Sequence, residues 1–270
     1  MKKQPPNADW VYQLLELKHR EYNKAAFVED DPISILHRFN RKQDIEIMGF
    51  WTAMLSWGNR KSIINSATKL ALYMDNAPYA FMKDHAESDL KRFLHFSHRT
   101  FNTTDALYFI EFFSYYYKKN LSLEDAFAQF ITPQSKNVEA ALAGFHELFF
   151  LLEDAPHRTR KHVATPLRKS SCKRINMFLR WMVRSDKNGV DFGIWKKIKP
   201  AQLLIPLDIH VDRTARKLGL LKRKQTDWLA VLELTENLIA FDPADPTKYD
   251  YALFGISVLD KGDISKIIAP

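Results

Sequence analysis

The stretch KRINMFLRWMVRSDKNGVDFGIWKKIKPAQLLIPLDIHVDR, residues 173–213, decides how the rest of the chain is read. It opens on Lys173, followed by Ile175, Phe178, Leu179 and Met182, an apolar series at helical spacing. It closes on Asp208 in Leu-Ile-Pro-Leu-Asp-Ile-His-Val, a carboxylate among aliphatic residues where a helix is expected to begin. An amine and a carboxylate, each at a helix N-terminus, suggest one site.

The reading extends outward as helix after helix. Asp30-Asp31-Pro32 is a start signal, because proline suits a first helical turn. From about Asp44, the residues Ile45, Ile47, Met48, Trp51, Met54 and Leu55 form a broad apolar face. That helix breaks at Trp57-Gly58-Asn59, and another begins at Arg60. Thr104-Asp105 caps a run through Tyr108, Phe109, Phe112 and Phe113, and Ser122 with Asp125 resembles a capping box. Thr226-Asp227 starts the next helix, two Asp-Pro pairs make a turn, and residues 249–259 form the last helix, with Gly255 marking a close approach. No convincing β-alternation occurs, and Ile205 is the one candidate for a short extended piece. The class expected is all-α: a single two-lobed helical domain with a cleft. N-terminal helices span about 9–39, one lobe 40–165 and a catalytic lobe 166–265.

Composition narrows the partner. A net charge of +8 over 270 residues favours a polyanion, DNA or RNA first among them. Residues 157–171 hold His157, Arg158, Arg160, Lys161, His162, Arg168 and Lys169 without apolar periodicity, and read as a basic loop. The single cysteine, Cys172, excludes an intramolecular disulfide and an iron–sulfur or multi-cysteine zinc site, so no cofactor is expected. No apolar run approaches the ~20 residues of a membrane span, and the first ten residues are not a signal peptide, so a cytoplasmic monomer is expected.

A lysine works as a nucleophile when its amine is neutral, which burial, a neighbouring cation or a helix N-terminus favours. Lys173 has the helix start and, in Arg174, the cation. A carboxylate placed as Asp208 is can stabilise an oxocarbenium-like centre or move a proton, with His210 and Arg213 about one turn away. The plainer alternatives are a solvated lysine and an ordinary cap, since aspartate is among the best cap residues.

Leu-Ile-Pro-Leu-Asp208-Ile-His210-Val resembles the Val-Pro-Val-Asp-Val-His segment of the helix–hairpin–helix DNA glycosylases, with Arg213 at a later position of that superfamily's pattern. The resemblance implies that Asp208 is the catalytic aspartate. In common members the nucleophilic lysine lies about 20 residues earlier, where this chain offers only Lys187 in a polar turn. The archaeal 8-oxoguanine glycosylase branch has a longer spacing and a lysine that opens an apolar helix, and Lys173 is similar to that one. Lys173 is therefore the implied nucleophile and Lys187 the runner-up.

Residues 53–60, followed at once by a helix, resemble the superfamily's element that fills the space left by a flipped base, with Asn59 as wedge and Arg60 beside it. The superfamily's Leu-Pro-Gly-Val-Gly hairpin is absent. Pro166-Leu-Arg168-Lys169-Ser170-Ser171 stands in its place and, with Arg174, supplies the expected DNA contacts. Trp181, Trp195 or Phe254 would stack on the base if they are not core residues. The chain as a whole looks like a bacterial family distantly related to these glycosylases. The implied activity is excision of an oxidised purine, such as 8-oxoguanine, from double-stranded DNA, with cleavage at the abasic site. The alternatives are a DNA-binding module without catalysis and a helical protein-interaction domain.

Overall fold

Residue periodicity along the chain becomes a succession of helices in the computed structural model, which describes residues 8–186 and 188–262. They are α1 (Ala8–Tyr22), α2 (Ala25–Val28), α3 (Lys42–Leu55), α4 (Arg60–Tyr73), α5 (Pro78–Asp84), α6 (Thr103–Tyr117), α7 (Glu124–Ala128), α8 (Glu139–Phe149), α9 (Lys173–Val183), α10 (Ile209–Lys217), α11 (Trp228–Ile239) and α12 (Asp250–Val258). Short 3-10 turns join several of them. The fold is all-α. The β-structure among the described residues is one hairpin, Ser97–His98 paired antiparallel with Phe101–Asn102.

Local chemistry explains most boundaries. Asp31 accepts from the backbone N–H of Ile33 and starts the turn Pro32–Arg38. Asn59 caps α4 through Ser62 N–H, and Asp227 caps α11 through Ala230 N–H. The cap of α6 is Asn102 rather than Thr104, with Asp105 returning a bond to the Asn102 N–H. Ser122 makes no capping box with Asp125: its hydroxyl donates to Glu46 and accepts from the Glu124 N–H, and Leu123 stands at the cap position of α7.

One hydrophobic cluster runs through the described residues from Val11 to Ile256. The phenylalanines supply much of it: Phe112 and Phe149 lie 4.3 Å apart between α6 and α8, and Phe127 stacks on Phe145 at 4.0 Å. Gly255 abuts the Tyr22 ring so closely that a β-carbon would sit 2.1 Å from it, which lets α12 lie against α1. The buried Glu46 carboxylate accepts from Tyr117, Ser122, the Leu123 N–H and the Trp195 indole, and burial raises its pKa. Trp195 is thereby a core residue, as is Trp181, and neither is available to a base.

Two features of this frame position the site. The apolar face of α9, Ile175, Phe178, Leu179 and Met182, packs on α3, which fixes the N-terminal turn of α9 beside the end of α3. The segment 203–207 runs extended with Leu203, Leu204, Ile205 and Leu207 buried, pinned by Ile205 N–H to the Thr235 hydroxyl. It makes no strand, and it delivers Asp208 to the start of α10.

Candidate functional site

The start of α9 and the start of α10 open on the same cavity. Its volume is about 530 Å³, and both Lys173 and Asp208 line it. Its remaining walls come from distant parts of the chain: Asp31 and Pro32, the turn at Ser56, Trp57 and Gly58, Arg60 on α4, and Asp250 and Phe254 on α12.

Lys173 is the first residue of α9 and half-buried. Its Nζ lies 3.4 Å from the Ser56 carbonyl and makes no ion pair among the described residues. Asp208 caps α10: Oδ1 accepts from the N–H groups of His210 and Val211, both at 2.9 Å. Its Oδ2 accepts no hydrogen bond among the described residues. The capping role is thus real, and it orients the carboxylate by two helix amides.

His210 also lines the cavity, with Nδ1 3.2 Å from the Ser257 hydroxyl and its ring edge-on to Phe254 at 5.4 Å. Arg213 is not part of the cavity. The buried stripe of α10 runs through Val211, Thr214 and Ala215, which leaves Arg213 on the exposed side.

Of the expected DNA contacts, Arg60, Ser170, Ser171 and Arg174 line the cavity. Arg168 and Lys169 are exposed beyond it, and Lys169 sits in a left-handed conformation whose carbonyl receives the Trp228 N–H at the start of α11. Asn59 is exposed, but its side chain is engaged in capping α4. Lys187, the second candidate nucleophile, lies outside the described residues. Arg174 donates to the carbonyls of Met54 at 2.5 Å and Lys161 at 3.2 Å, and its guanidinium lies over the Trp57 ring at 4.9 Å. Burial, without a carboxylate beside it, lowers its pKa to about 10.

The acidic side of the site was not anticipated. Asp250, in the first turn of α12, is buried and paired with Arg180, itself 6% exposed. Burial pushes the Asp250 carboxyl up to about 7, and the Asp208 charge adds to that rise while Arg180 and Lys173 oppose it. Asp31 faces the same space, ion-paired with Arg60 at 3.7 Å, and its pKa is raised by burial. Behind Asp250, Arg180 approaches Asp191 at 3.4 Å and lies over the Tyr251 ring at 4.4 Å. Burial works against the Arg180 charge, but Tyr251, Asp191, Asp250 and Asp31 outweigh it and raise its pKa. Of these, Asp31 was read only as part of the start signal Asp30-Asp31-Pro32, and Asp250 only as part of the last helix.

The arrangement offers an amine without an ion pair among the described residues, a carboxylate held by helix amides, and a second carboxyl poised near neutrality. Half-buried Trp57 and Phe254 give it aromatic walls. Among the described residues no group of three or more His, Cys, Asp and Glu is placed to hold a metal, and no helix is long and apolar enough to cross a membrane. A family model described as a protein of unknown function (DUF2400) matches residues 31–259. No curated protein and no solved structure matches the chain.

Proposed function

The chain belongs to the DUF2400 family, and we propose that it is a DNA glycosylase with abasic-site lyase activity, acting on an oxidised purine of the 8-oxoguanine type. The observation that carries this reading is the convergence of Lys173 and Asp208 on one cavity of about 530 Å³, within the range of small-molecule sites, about 300–1,000 Å³.

In the proposed reaction the damaged nucleotide leaves the duplex and enters the cavity, where Trp57 or Phe254 stacks on its base. The Lys173 amine attacks the sugar C1′ through its nitrogen lone pair. The bond from C1′ to the base breaks, its electron pair leaves with the base, and the base takes up a proton. Asp208 stabilises the positive charge that develops on the sugar. Loss of the amine proton and opening of the ring give a Schiff base on Lys173. Removal of a proton from C2′ then expels the 3′ phosphate and cuts the strand. Asp250, when ionised, accepts from N–H groups on the edge of a guanine-type base. Arg174, Ser170 and Ser171 meet phosphate, and the exposed Arg168 and Lys169 extend the basic surface outward.

A second reading, a DNA-binding protein without catalysis, is favoured by one observation: Asp208 already has a complete structural role as the cap of α10. Borohydride separates the two, because only a Schiff base is reduced to a stable adduct. Labelled duplexes carrying 8-oxoguanine, an abasic site or no lesion are incubated with protein and borohydride. Adducts on the first two and none on the third support the glycosylase. Salt-sensitive binding with no adduct on any duplex supports the scaffold.

A further inference from the structure

The hairpin beside the cavity carries a side chain that the reading above leaves unused. Its two strands are joined by Arg99 and Thr100, and Arg99 sits at φ +54°, in the left-handed region. Two-residue hairpin turns favour asparagine and glycine there, because a β-carbon is strained at positive φ. An arginine at such a position goes against the local preference of the turn, and an outlier of this kind points to a use for the side chain.

The hairpin is held firmly from behind. His98 and Phe101 are buried, His98 Nδ1 lies 2.9 Å from the Ser66 hydroxyl, and the His98 ring meets the edge of Trp57 at 5.1 Å. Arg158 donates to the Thr100 carbonyl at 3.1 Å and is also bonded to Asp105 at 2.5 Å. The tip residue contrasts with this. Arg99 is exposed and makes no hydrogen bond or ion pair among the described residues. Its guanidinium lies on Gly58: a β-carbon at Gly58 would stand 2.8 Å from Nη1 and 3.2 Å from Cδ. Gly58 and Trp57 line the cavity, and Arg99, outside that lining, lies against Gly58.

A duplex that gives up a nucleotide is left with a gap and an unpaired base opposite, and something must occupy that gap. Asn59 is committed to capping α4, as shown above. Arg99 is rigidly presented and uncommitted, and its flat guanidinium can stack on a base or bond to its edge. We infer that Arg99 enters the duplex where the nucleotide leaves and contacts the unpaired base of the opposite strand. This rests on the glycosylase reading. It assigns the opposite-strand contact to the hairpin rather than to the loop that resembles the superfamily's wedge.

The test places 2-aminopurine opposite a stable abasic analogue in a duplex and compares the full-length protein with Arg99→Ala and Arg99→Lys. Wild type is expected to change the 2-aminopurine emission. Both variants are expected to lose that change and about tenfold of the preference for the abasic duplex over an undamaged one, the size of one specific base contact. Both should still form the borohydride adduct on single-stranded DNA with a natural abasic site, which shows that fold and nucleophile are intact. Full retention of the emission change in Arg99→Lys would reduce Arg99 to a phosphate contact and overturn the inference, as would an unchanged Arg99→Ala. Absence of any adduct with wild type would instead overturn the glycosylase reading, and this assignment with it.

Discussion

The two ends of helix α9 carry basic residues in opposite circumstances. At the N-terminal end, Lys173 and Arg174 make no ion pair among the described residues and bond to backbone carbonyls, with Arg174 over an aromatic ring. Toward the C-terminal end, Arg180 is paired with Asp250 and Asp191. Arg184, just past the helix, meets Asp186, Asp191 and Asp245. Sequence alone shows four similar cations on one helix and its border. What separates them is whether the fold brings carboxylates to them. The paired end is committed to holding α9, the loop after it and α12 together, whereas the other end opens on the cavity.

The comparison is broken most forcefully at the paired end. Arg180→Ala leaves Asp250 buried without its cation and Asp191 with Arg184 alone, and is expected to cost about 3–5 kcal/mol in denaturant unfolding. Lys173→Gln, by contrast, should stay within about 0.5 kcal/mol of wild type, as substitutions away from packed or paired positions do. Similar losses at the two positions would erase the distinction. Next in size, Asp208→Asn keeps an amide oxygen for capping but removes the charge. It should lower the single-turnover excision rate by about 10²–10³-fold with a small change in stability. A drop in stability with no drop in rate would leave Asp208 as a cap alone.

The boundary between the two ends runs through Asp250, which faces both Arg180 and the cavity, and pH sharpens it. Its carboxyl, held near 7, is protonated below that value and ionised above it. Lesion binding by wild type relative to Asp250→Asn should therefore rise as pH climbs from 6 to 8, if the ionised form accepts from the base. The same shift has the opposite sign for folding. A carboxyl whose folded pKa lies above its unfolded value, about 4, costs stability as pH rises between the two. Wild type should accordingly lose stability relative to Asp250→Asn across that window. A flat ratio in both measurements would remove Asp250 from the site. Smallest of all, replacing Arg168 and Lys169 with alanine should weaken binding to every duplex alike and flatten the salt dependence by about one unit per lost phosphate contact. A sequence- or lesion-selective effect would contradict their place on the outer surface.

How far this could be read in advance follows from the range of the interactions involved. The starts of α10, α4 and α11 were legible because capping is decided within three or four residues, as at Asp208 and Asp227, whereas α9 has no side-chain cap and was legible from its apolar spacing. The hairpin at 97–102 was not, since two-residue strands are too short to show alternation. Lys173 and Asp208 could be paired because each begins a helix with an apolar face, and the frame that brings those starts together is built from those faces. Asp250, Asp31 and Arg180 were invisible because their character comes from partners remote in the chain. Arg213 was misplaced because its spacing from Asp208 does not by itself say which side of α10 the core takes.

The most direct test of the central claim is to trap the protein on an abasic-site duplex with borohydride, digest it, and locate the modified residue by mass spectrometry. The sugar remnant is expected on Lys173, and Lys173→Gln is expected to give no adduct while melting as wild type does. A remnant on Lys187 or another amine, or an adduct undiminished in Lys173→Gln, would contradict it.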